Sequence, residues 1–155
     1  MNELIECYLA GPRELRDAIA GMSAAEIDAA PVPGKWSTRQ VICHVADFEP
    51  VYADRMKRVI ALENPELLDL PEKPLADRLG YDVRDIEEEL QLIECVRRHM
   101  GRILRNCQPR DFQRQGLHST LGPLPLEVLL KKAISHIPHH TPFIAEKRRA
   151  LAKQG

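Results

Sequence analysis

The sequence predicts an all-α protein, a four-helix bundle with long crossover connections. Four stretches carry apolar residues at spacings of three and four, the period of a helix with one buried face. No stretch reads convincingly as a strand. Two connections, Asn64 to Tyr81 and Cys107 to Pro125, are longer than antiparallel neighbours need, so at least one is expected to cross the end of the bundle. At 155 residues the chain is expected to form a single domain, 1–155, large enough to bury a core.

The first helix is expected over Glu3 to Met22, with Leu4, Ile5, Tyr8, Leu15, Ala18 and Ile19 on one face and Pro12 as a kink or restart. Ser23 opens a short helical turn and has Glu26 three residues on, the signature of a capping box. After PVPGKW, Ser37 and Gln40 repeat that signature and start a helix running to about Leu62. Its apolar band holds Val41, Val45, Phe48, Val51, Tyr52, Met56, Val59 and Ile60. The stretch from Asn64 to Tyr81 reads as an irregular crossover. Asp82 or Asp85 starts the third long helix, striped by Val83, Ile86, Leu90, Ile93, Met100, Ile103 and Leu104. Its glutamates lie early and its arginines late, as the helix dipole favours. Cys107 to Pro125, rich in Gly and Pro, reads as a loop, and the last helix begins near Leu124.

Apolar residues make up 44% and charged residues 29%, an ordinary globular balance, and the net charge of −1 offers no field to gather nucleic acid or an anionic membrane. No apolar run approaches the ~20 residues of a membrane span. The N-terminal stretch lacks a signal-peptide core. Cys7, Cys43, Cys95 and Cys107 show no CxxC spacing and read as reduced, mostly buried thiols of a cytoplasmic protein.

Three of the six histidines fall in LLKKAISHIPHHTPFIAEKR. His136 and His140 are four residues apart, so on a helix they project from one face one turn apart, the spacing of a bidentate metal clamp. A third ligand has to come from elsewhere, and His44, mid-helix in an apolar band, is the candidate, because a buried imidazole needs a strong partner. His139 competes, since 136 and 139 are also one turn apart, but it points toward the edge of that face. His99 and His118 read as surface or loop, with His118 a candidate for the pocket mouth. Asp47, three residues after His44, reads either as a surface acid or as a catalytic general base or orienting group beside the metal. Pro50, Pro138 and Pro142 remove helical hydrogen bonds near these histidines, so local bending or unwinding is expected there.

The segments GKWSTRQVICHVADFE, DFQRQGLHSTLGPLPLEVLL and HIPHH, in that order, resemble the DinB/YfiT-like superfamily over nearly the whole chain. The resemblance implies a four-helix bundle, often a homodimer, holding a divalent metal, zinc or nickel, on three histidines. By position these are His44, His136 and His140. Two departures stand out. Phe143 occupies the place of a further histidine of the YfiT-like branch, and the prolines at 138 and 142 look local.

Three imidazoles with an open position describe a catalytic rather than a structural metal site. The expectation is a metal-dependent enzyme acting on a small-molecule substrate, either a hydrolase or a transferase of a low-molecular-weight thiol. The alternative is a non-catalytic metal-binding or stress-response interaction module. The site itself discriminates. An enzyme should show a cleft open at the metal ligands, lined by polar groups of the Cys107–Pro125 loop, and a binding module a closed site or an exposed apolar patch elsewhere.

Overall fold

The computed structural model describes residues 1–153. Four long helices form the bundle: α1 (Asn2–Ile19), α3 (Thr38–Ala61), α5 (Ile86–Arg105) and α6 (Leu126–Leu151). Two short helices, α2 (Ala24–Asp28) and α4 (Glu72–Arg78), lie in the connections. Both capping boxes form. Ser23 pairs reciprocally with Glu26, and Ser37 with Gln40, so α3 starts where its sequence says it should. Asp85, not Asp82, caps α5 by accepting from the Glu88 amide. Val83 therefore lies outside the helix and is 86% exposed, a correction to the apolar stripe.

Helix α1 packs on α5 and α6, and α3 packs on the same two, so α1 faces α3 and α5 faces α6 across the diagonals. Diagonal partners cannot be joined by a tight turn. The connections 20–37 and 106–125 both span a diagonal, whereas 62–85 joins neighbours. Of the two connections expected to be long, the later one is the crossover.

That crossover is not a plain loop. A 3-10 turn (Pro109–Gln113) leads into a hairpin of β2 (Gln115–His118) and β3 (Gly122–Pro125), and β1 (Glu66–Leu67) pairs parallel to β2. The resulting three-stranded sheet, ordered β1-β2-β3, corrects the strand-free expectation. Gly116 is required there: a Cβ would stand 2.9 Å from both the Leu67 side chain and the Pro65 carbonyl oxygen. Arg114 donates to the Val59 and Leu62 carbonyls at the end of α3, which fastens the sheet to the bundle.

The buried apolar side chains fall into two clusters, and every long helix contributes to both. Ile5, Tyr8, Met56, Met100, Leu104, Leu129, Leu130 and Ala133 belong to one; Leu15, Val41, Val45, Leu90, Ile93, Ile137 and Ile144 belong to the other. Between them in sequence lie Gly11 on α1, Glu49 on α3, Arg97 on α5 and His136 on α6. This polar layer is held by the buried Arg97–Glu49 ion pair, with Nε donating to Oε2 at 3.0 Å. Arg97 also donates to the Tyr8 and Ala133 carbonyls. Gly11 makes room for it, since a Cβ there would lie 2.1 Å from Arg97 Nη1.

None of the prolines interrupts its helix. Pro12, Pro50, Pro138 and Pro142 all lie inside continuous α-helix, so the expected local unwinding is absent. Only Cys43 is buried among the four thiols; Cys7 and Cys95 are exposed and Cys107 is half-buried. No described helix is long and apolar enough to cross a membrane.

Candidate metal centre

Helices α3 and α6 are neighbours, and their histidines meet. One donor nitrogen from each of His44, His136 and His140 lies within 4.8 Å of the other two. His44 is 0% exposed, His136 9% and His140 8%. His44 Nε2 and His136 Nε2 stand 3.2 Å apart. Imidazole nitrogens bound tetrahedrally at ~2.0–2.1 Å from one ion would be about 3.3–3.4 Å from each other, so the observed spacing suits a shared ion.

Burial keeps these rings neutral. Desolvation, reinforced by the neighbouring histidines and Arg97, pushes His136 down to about 2. Desolvation and the nearby cationic forms of His44, His139 and Lys147 push His140 down to about 3. Desolvation also lowers His44, opposed by Glu72 and Asp47. Neutral imidazole is the form that ligates. The Nδ1 atoms of all three rings have no hydrogen-bond partner among the described residues. Three buried Nδ1 atoms without partners cost several kcal/mol in sum, at ~1–3 kcal/mol each, and the Nε2 atoms of His44 and His136 meet each other across 3.2 Å. The donor set thus fits a divalent metal.

Aromatic rings enclose the cluster. Trp36 lies 5.2 Å from His44 by ring centroids, Phe48 4.7 Å from His44, and Tyr52 5.3 Å from His136. On one side the enclosure opens into a cleft of about 280 Å³, lined by His140, with Trp36, Val41 and Phe143 as apolar wall and Lys35, Glu72, His139 and Lys147 as polar wall. The open cleft matches the expectation for an enzyme, but its lining does not. It comes from the PVPGKW loop, the first turn of α3, α4 and α6, not from the Cys107–Pro125 loop, which is occupied in the small sheet.

His139 is exposed and lines the cleft rim, in edge contact with His140 and Phe143. His99 is exposed, as read. His118 is buried in β2, its Nδ1 accepting from the Thr120 amide, and lines no part of this cleft. Asp47 is half-buried and fully engaged: Oδ2 accepts from Tyr81 Oη and Oδ1 from Arg84 Nη1, each at 2.8 Å. Arg84 is held in turn by Glu89. Tyr81 meets the edge of Trp36 at 6.4 Å, so Asp47 braces the ring that walls His44.

Sequence reasoning missed Trp36, Glu72 and Lys147. Lys147 had a usable signal: it follows His140 by seven residues, two turns along the same face. Glu72 had none, because α4 hides in a segment that reads as irregular.

A bundle with diagonal crossovers and a buried three-imidazole cluster beside an open cleft defines a class of helical metal-site proteins. The chain belongs to the DinB superfamily, which it matches over residues 8–144. It is 30% identical over 144 residues to a protein of Oceanobacillus iheyensis named as a candidate metal-dependent hydrolase, a match covering 93% of this chain and 83% of the relative. A protein of Geobacillus kaustophilus with the same kind of name is 26% identical over 150 residues, covering 96% and 84%. The solved structure of YfiT from Bacillus subtilis, described as a candidate metal-dependent hydrolase with an unusual four-helix bundle topology, superposes with a TM-score of 0.90 at 25% identity. That superposition covers 97% of this chain and 87% of the YfiT chain.

Proposed function

We propose that this chain is a metal-dependent enzyme that holds one divalent ion on His44, His136 and His140 and hydrolyses a small molecule bound in the adjoining cleft. The observation that carries the reading is the convergence of three buried, neutral imidazole donors within 4.8 Å beside a cleft open to solvent. The names of the relatives support hydrolysis. Zinc or nickel suits three imidazoles. The ion, when bound, supplies Lewis acidity that lowers the pKa of a coordinated water or thiol.

The chain's own residues do the rest. Trp36 and Phe143 exclude water from one side of the substrate. Asp47, tied to Tyr81 and Arg84, keeps its orienting role rather than acting as the base. Glu72 is the carboxylate that faces the cleft without an ion pair among the described residues, and it takes up the proton released in the reaction. Homodimerisation, implied by the resemblance alone, belongs to the same proposal and is read by sedimentation.

The test is turnover of a panel of esters and amides, with a thiol-conjugation panel alongside, by the metal-loaded protein. Hydrolysis should vanish in His44→Ala, and Glu72→Gln should lower kcat by about 10²–10⁴ with metal content retained. Turnover by thiol conjugation alone would reassign the chemistry to transfer. Equal hydrolysis in His44→Ala would defeat the metal reading.

A further inference from the structure

The polar wall of the cleft contains a cation that the metal chemistry leaves unexplained. Lys147 is 2% exposed and lines the cleft, yet its Nζ makes one hydrogen bond, to the Phe143 carbonyl at 3.1 Å. An ammonium has three donors, so two are unspent. Glu146, its neighbour in sequence, forms no ion pair with it, and no other described carboxylate does. Arg97, the cation buried to the same degree, is met by Glu49. A buried charge without a counter-ion is costly, and its persistence at the wall of a cleft is the pattern of a site completed by an incoming anion. A second cation, Lys35, lines the same cleft, and like-charge proximity to it adds to the desolvation that lowers Lys147. Glu72 is the opposing acid, leaving the polar wall with a positive excess.

We propose that the substrate of this cleft carries a compact acidic group, a carboxylate or a phosphate, seated on Lys147 and Lys35. The inference rests on the reading of this cleft as the substrate site and names its substrate class. The bond from Nζ to Phe143 shows that the lysine reaches back one turn toward His140. Phe143 follows His140 by three residues, about 5 Å along the helix axis. The acid therefore lies only a few bonds from the group presented to the histidines. Trp36 and Phe143 take the apolar part between them, and about 280 Å³ admits only a small molecule.

Trp36 is the only tryptophan in the sequence and lines the cleft, so its fluorescence reports occupancy. The probes are benzoate, phenyl phosphate and the neutral isostere benzamide, titrated at low ionic strength into the full chain as purified. At least one anion is expected to bind tenfold or more tighter than benzamide, and which one does separates carboxylate from phosphate. Lys147→Met should abolish the preference, and Lys35→Met, at an exposed position that does not threaten folding, should weaken it severalfold. Three results overturn the proposal: equal binding of anions and benzamide, no saturable response to either anion, or a preference that survives Lys147→Met. The last would place the acid on the histidines instead. Metal content measured on the same samples keeps the two readings apart, since a protein without metal that still prefers the anion contradicts the metal centre alone.

Discussion

His136 and His140 have folded-state values of about 2 and about 3, against ~6.5 in an unfolded chain. The unfolded chain therefore binds more protons below pH ~6.5, and stability is lost as pH falls through that value toward the folded ones. For metal-free protein, His136 and His140 together should give denaturant unfolding a slope of about 2.7 kcal/mol per pH unit below pH ~5.5, at ~1.4 kcal/mol per pH unit for each proton, and His44, also lowered by burial, steepens it further. His140→Gln should reduce it by about 1.4 kcal/mol per pH unit; an unchanged slope would mean that the imidazoles are not held neutral. The histidine set was legible in the sequence because i, i+4 spacing and an imidazole in an apolar band are local signals. Asp47 was legible only as a position. Its partners Tyr81 and Arg84 lie more than 30 residues away, and nothing in the sequence announces that both carboxylate oxygens are taken.

At the scale of elements, α3 and α6 set the relative placement of the three histidines, and the devices that fix them are few. Ser37 holds the start of α3 seven residues before His44, so Ser37→Ala should cost about 1 kcal/mol in unfolding free energy. Arg97 ties α5 to α1, α3 and α6 at the level of His136. Arg97→Met leaves Glu49 buried and unpaired and should cost about 3–5 kcal/mol, with Gly11→Ala destabilising through the same clash of Arg97 with α1. Thermal and denaturant unfolding of the three variants measures these directly. The long helices were readable because apolar periodicity persists over 18 to 26 residues. The sheet was not, because strands of two to four residues carry too little period, and Pro123, Pro125 and Gly116 read as loop. The prolines misled in the other direction. Packing from both clusters holds α6 helical through Pro138 and Pro142, although each removes one hydrogen bond.

At the scale of the whole molecule, the diagonal connection 20–37 brings the PVPGKW loop, and the neighbour connection 62–85 brings α4, to the same side of α6. That is why the cleft is built from Trp36, Glu72 and Lys147, residues that no stretch of sequence places together. Metal binding to this folded arrangement and not to the open chain stabilises the fold by mass action, so chelation should lower the melting temperature and added zinc or nickel should restore it. The most direct measurement is elemental analysis of protein purified without chelator or affinity metal, beside His44→Ala. About one divalent ion per chain, lost in the variant, is the predicted result. Protein that carries no metal and takes up neither zinc nor nickel when offered would contradict the metal centre and leave the three histidines as an unexplained polar cluster in a helical bundle.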